Sequence, residues 1–154
     1  MERSYVMVKP DGVQRRLVGK IVTRFEEKGL RVVALRLFRM EQERAEKLYE
    51  GHKGKGFYPG LVKFVTSSPV VGMVIQGPGA IGMIRKMMGA TFGPNAEPGT
   101  IRGDYGASRS FNLIHGSDSP ESAAREIPIF FSDKEIAAWE PIDEKWTYDV
   151  EDLK

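Results

Sequence analysis

Cysteine is absent from all 154 residues, which removes disulfides, thiolate metal sites and a cysteine nucleophile together. An excess of either charge is missing as well: 23 basic residues face 21 acidic ones, for a formal net charge of +2. That balance argues against a dedicated polyanion binder and leaves room for a local positive pocket built from a few arginines. Long apolar runs are also lacking. The opening MERSYVMVKPDG carries charge at once and reaches Pro10-Asp11-Gly12 before any such run can build, so neither a signal peptide nor a membrane span is expected and a cytoplasmic location fits. The length and an apolar share of 41% suit one compact domain over residues 1–154.

Read for period, residues 5–9 form a β-rich run closed by the Pro-Asp-Gly turn signal. Residues 19–28 put Ile21, Val22 and Phe25 on one helical face before Gly29. A long strand with one wet face is expected over 30–40, a helix over 41–50, and a short helix resuming at Tyr58 after the glycine-rich GHKGKG. VVGMVIQ, residues 70–76, reads as a buried strand and 81–88 as a helix. Residues 91–100, with two prolines and two glycines, read as an irregular loop. A brief strand is expected over 111–114, leading into His115. Ser119-Pro120-Glu121 then supplies the N-cap, first position and acidic first turn of a helix that Pro128 should end near 126 or 127. The segment from about 140 is expected as a mostly extended tail packed on the body. This order predicts an α+β sandwich, a small sheet overlaid by helices.

Of the two histidines, His52 sits among lysines and glycines and reads as a solvated surface imidazole without a role. His115, in NLIHGSDS, has the better claim. Gly116 allows close approach to the ring, and Ser117 and Asp118 offer polar partners. A nucleophilic histidine needs one free nitrogen and a partner that fixes the tautomer through the other, for which Glu126 is a candidate. A Ser117-His115-Asp118 hydrolase triad fails because three nearly adjacent residues do not line up as a relay, and no GxSxG elbow supports it. GVQRRLVGKI is not a phosphate-binding P-loop: six residues separate its glycines and Ile21 stands where the hydroxyl belongs. KGFYPGLVKF is a poor RNA-binding strand because Pro59 interrupts it. Lys9, Arg85 and Arg102 read singly as surface cations. Grouped around a nucleophilic histidine they would hold a polyphosphate, since guanidinium pairs bidentately with phosphate oxygens.

YVMVKPDGVQRRLVGKI, FYPGLVKFVTSSPVVGMV, PGTIRGDYG and NLIHGSDSPESAAREI together resemble nucleoside diphosphate kinase, over residues 5 to about 139. The resemblance implies a ferredoxin-like fold with a four-stranded antiparallel sheet covered by helices. It implies that His115 is phosphorylated through Nδ1 and that Glu126 orients the ring with support from Ser117. Lys9 and Asn112 would meet the ribose 3′ hydroxyl and nearby phosphate oxygens, Tyr49 would lie beside the γ-phosphate, and Arg85, Thr91 and Arg102 would hold the β-phosphate region. Phe57 and Leu61 match the apolar mouth where the base lies, and stacking there accepts every base because each has a π-face.

The implied reaction is ping-pong transfer from ATP or another nucleoside triphosphate to a diphosphate, with Mg2+ carried on the nucleotide phosphates rather than in a protein cage. The resemblance also implies a homo-oligomer, a hexamer or in some bacteria a tetramer. Two stretches depart from the family: Phe92-Gly93-Pro94 follow Thr91 where Asn-Pro is usual, and Arg109 and Ser110 replace a small apolar residue and glycine. The rival reading is a nucleic-acid or regulatory binding module on the same fold. It has no use for a nucleophile, so the set His115, Lys9, Arg85, Arg102, Asn112 and Glu126 favours the enzyme and makes nucleic acid no expected partner.

Overall fold

The computed structural model describes residues 1–154. Four strands, β1 (Glu2–Val8), β2 (Arg31–Phe38), β3 (Val70–Gly77) and β4 (Ile114–Gly116), form one sheet in the order β2-β3-β1-β4. Every ladder is antiparallel. The helices are α1 (Pro10–Gln14), α2 (Val18–Glu27), α3 (Gln42–Leu48), α4 (Tyr58–Thr66), α5 (Ala80–Met88), α6 (Ile101–Tyr105), α7 (Pro120–Phe130) and α8 (Glu144–Thr147). This is the ferredoxin-like sandwich, and no helix is long and apolar enough to cross a membrane.

The two-residue period of β1 explains why helices lie on both faces of the sheet. Val6 and Val8 point into one apolar cluster with Ile21 and Phe25 of α2 and Ile84 and Met88 of α5. Tyr5 and Met7 point into a second, with Leu48 of α3, Val65 of α4 and Phe130 of α7. β3 feeds both clusters through Met73 and Val74, so its near-continuous apolar run is what a strand buried on both faces requires.

Four local expectations need correction. The Pro-Asp-Gly signal opens the short helix α1, with proline in its first turn, instead of a simple turn. Residues 111–113 are not strand: Leu113 takes φ +70°, and the pairing with β1 begins at Ile114. Helix α7 runs through Pro128 to Phe130. Its last turn is held by packing, because Phe130 is 3% exposed and stacks on Tyr5 at 4.4 Å between ring centroids. Removing that ring by Phe130→Ala is expected to cost about 3–5 kcal/mol in urea unfolding, whereas a loss near zero would mean the helix end is decorative. Last, the tail is partly helical at α8 and is strapped along β2 and the turn before it. Ala137 N donates to Val33 O at 2.8 Å, Arg31 holds Glu144, and the Tyr148 hydroxyl donates to Gly29 O at 2.8 Å.

Candidate active site

His115 lies mid-strand in β4, opposite Met7 of β1, and its side chain is 17% exposed. Helix α7 returns over the end of that strand because Ser119 caps it, accepting from Ser122 N at 3.0 Å. This return brings Glu126 to the ring: Nε2 and Glu126 Oε2 are 2.9 Å apart. A carboxylate accepts, so Nε2 carries the proton and Nδ1 is left with its lone pair. Ser117 Oγ donates to the same Oε2 at 2.8 Å and accepts from Tyr5 N at 3.1 Å, tying the carboxylate to the sheet. Arg125 approaches the other oxygen, Oε1, at 3.4 Å.

The hydrolase triad does not form. Ser117 Oγ is bonded to Glu126, and Asp118 Oδ1 accepts from Ser122 Oγ at 2.6 Å. Gly116 also has a different reason from the one expected. A Cβ there would lie 2.6 Å from Met88 Sδ and 3.3 Å from Ile84 Cγ2, so the glycine admits α5 against the strand rather than a group against the imidazole.

Cations gather beside this ring. Lys9, at the end of β1, is 6% exposed and donates from Nζ to Asn112 Oδ1 at 2.7 Å. Burial, followed by the charge of Arg102, pushes its ammonium down to about 8. Arg102, 4% exposed, donates from Nε to Asn112 O at 3.0 Å and from Nη2 to Ile114 O at 2.7 Å. Burial and Arg85 lower it to about 10, which leaves it charged at neutral pH. Arg85 of α5 reaches Gly116 O at 3.4 Å, and Asn112 Nδ2 donates to Thr91 O at 2.9 Å. Two residues of like sign, a buried lysine and a buried arginine, thus share Asn112 with no acid neutralising them directly. Such a site is completed by an anion.

Asp11 is the residue sequence reasoning undervalued. Its Oδ2 accepts from Leu113 N at 3.0 Å while Lys9 N donates to Leu113 O at 2.8 Å. The two contacts hold Leu113 in its left-handed conformation, an uncommon one for a branched residue. On either side of that bend, Asn112 meets Lys9 and His115 meets Glu126. Its signal was present in Lys9-Pro10-Asp11-Gly12, but only the fold shows that the aspartate serves a residue about a hundred positions away.

Tyr49, just after α3, is 5% exposed and stands edge-on to His115, with centroids 5.7 Å apart. Its hydroxyl is buried without a partner, and burial, then Glu126, raises its pKa, so it stays an O–H donor. Phe57 opens α4 and is 55% exposed. Leu61 follows one turn later on the same helix, its N–H bonded to Phe57 O at 3.0 Å. All eleven residues implied by the resemblance therefore fall on four neighbouring regions: the end of β1, the α3–α4 region, the α5–α6 region and β4 with α7.

Comparison with known proteins bears on the family and the fold. The family model described as nucleoside diphosphate kinase matches residues 2–136. A nucleoside diphosphate kinase of Ignicoccus hospitalis is 54% identical over 136 residues, covering 88% of this chain and 92% of its own. One of Carboxydothermus hydrogenoformans is 54% identical over 149 residues, covering 97% and 100%. Among solved structures, a halophilic nucleoside diphosphate kinase of Halobacterium salinarum in complex with CDP superposes with a TM-score of 0.94 at 49% identity, over 96% of this chain and 99% of that one. The chain belongs to the nucleoside diphosphate kinase family.

Proposed function

We propose that this nucleoside diphosphate kinase carries the phosphoryl group on Nδ1 of His115. The observation that carries the reading is the engagement of Nε2 by Glu126 Oε2 at 2.9 Å, which leaves Nδ1 as the nucleophilic nitrogen of a neutral ring. In the first half-reaction Nδ1 attacks the γ-phosphorus of a nucleoside triphosphate, the bond to the β,γ-bridging oxygen breaks, and the diphosphate leaves with that electron pair. Glu126 balances the positive charge that develops on the ring as Nδ1 forms its bond. An acceptor diphosphate then reverses the step at the same site.

Lys9, Arg85 and Arg102 hold the phosphate oxygens, and Asn112 and Thr91 help place the sugar and phosphates. The Tyr49 hydroxyl, unpartnered in the buried site, donates toward the transferred group. This donor set is cationic and suits phosphate rather than a metal cage, so Mg2+ fits as a companion of the nucleotide, where it neutralises phosphate charge. A homo-oligomer, hexameric as the family implies, and a cytoplasmic site of action belong to the same reading. Edge strand β2, covered by the tail at Val32 and Val33 but with Leu35 and Leu37 50% and 61% exposed, supports assembly.

Incubation with γ-labelled ATP and Mg2+ tests the carrier: label should stay on the protein and behave as phosphohistidine. The base site has its own test. Phe57→Ala is expected to raise KM for purine and pyrimidine nucleotides alike by about 5- to 150-fold, the range given by stacking of about 1–3 kcal/mol. A loss confined to one base would mean that base edges are read.

A further inference from the structure

His52 was expected to be a solvated surface group, yet its ring is in contact with the site. It lies in the turn Glu50–His52 after α3. The imidazole stacks on Tyr49, with centroids 6.1 Å apart and planes 28° apart, and meets Phe57 at 5.3 Å and 60°. Tyr49 in turn stands edge-on to His115 at 5.7 Å. One row of rings, Phe57, His52, Tyr49, His115, therefore connects the exposed ring at the pocket mouth to the nucleophile. Lys55 secures the middle of the row: its Nζ is 3.3 Å from His52 Nδ1 and 5.8 Å from the Phe57 centroid. An ammonium only donates, so Nδ1 accepts and the His52 ring is neutral, with its proton on Nε2. Partial burial, then the Lys55 charge, pushes its pKa below the ordinary histidine range, in keeping with a neutral stacking ring.

We propose that His52 is a positioning residue, a flat ring wedged between Phe57 and Tyr49 that sets the Phe57 ring for the nucleobase. The inference rests on the base-stacking reading of Phe57. Phe57 is 55% exposed and opens a helix after a glycine-rich turn, so without a brace it would sample several rotamers and give up part of its stacking energy on binding. A ring pair contributes enough to matter here, and it does so through shape rather than proton transfer.

The test compares His52→Ala, His52→Phe, Phe57→Ala and the His52→Ala/Phe57→Ala double variant in steady-state assays with purine and pyrimidine diphosphate acceptors. His52→Ala is expected to raise KM for all acceptors by about 2- to 12-fold, the range of an aromatic pair, with kcat nearly unchanged. His52→Phe should restore the parent KM within about twofold, and the double variant should be no worse than Phe57→Ala alone, since the brace has nothing left to hold. Parent-like KM in His52→Ala, beside a raised KM in Phe57→Ala, overturns the inference and spares the base-stacking reading. Failure of His52→Phe to rescue, or full additivity in the double variant, also overturns it. An unaffected Phe57→Ala overturns both.

Discussion

Replacing His115 by alanine is expected to abolish the labelled phosphoenzyme and lower nucleoside diphosphate kinase turnover by about 10⁴-fold or more, the scale on which losing a covalent nucleophile acts. No other side chain can take over. The chain has one further histidine, His52, whose Nδ1 faces Lys55, and Ser117 Oγ is committed to Glu126. The fold should survive, because the backbone pairing of His115 with Met7 does not involve the ring. Quench-flow with γ-labelled ATP and circular dichroism read the two parts separately. Label retained by a folded His115→Ala protein would sink the carrier assignment. Label lost together with the helical signal would instead make His115 a structural residue, which its 17% exposure argues against.

The second large effect is expected at Lys9. Its ammonium is buried against Asn112 and has been pushed down to about 8, chiefly by burial. Lys9→Met should lower kcat/KM by about 10²- to 10³-fold, as removal of one preorganised charge contact does. The pH dependence follows from the direction of the shift. The charged form exists below about 8 and is lost as pH rises through that value, so kcat/KM of the parent should bend downward near pH 8 with unit slope. The bend should be missing from Lys9→Met. Stability responds with the opposite sign: between about 8 and the ordinary lysine value of 10.5 the unfolded chain holds the proton that the folded chain has released, so unfolding becomes harder as pH rises through that window. A parent profile flat to pH 10 would mean that the ammonium stays charged and that burial does not tune it.

Both effects rest on residues that the sequence already marked, and the reason is chemical. Lys9 and His115 sit in compact local patterns, Lys9-Pro10-Asp11-Gly12 and Asn112 to Ser119, whose residue types stand out together, although the bonds they make, Lys9 to Asn112 and His115 to Glu126, reach outside each pattern. Period carried the elements equally well where burial is regular. Residues 70–76 and 81–88 are strand β3 and helix α5 because their apolar spacing and their buried faces coincide.

Elements failed where a distant contact outweighed a local preference. Pro128 should end α7, but stacking of Phe130 on Tyr5 keeps one more turn. The expected strand over 111–113 is lost because Asp11 and Lys9 hold Leu113 left-handed. His52 shows the same limit at the site, since its neighbours in the chain are charged and small while its neighbours in space are the rings of Tyr49 and Phe57.

What the amino-acid sequence determined by itself is the family and the sheet-and-helix order, with His115 as the candidate nucleophile, because these are written in residue types at short spacing. Which nitrogen of His115 is left without a partner, how two buried cations come to share Asn112, and how a second histidine comes to lie between Tyr49 and Phe57 were decided only by tertiary structure. Each depends on the contact of side chains brought together by β-pairing and helix return, and hydrogen-bond direction and desolvation exist only once those contacts are made.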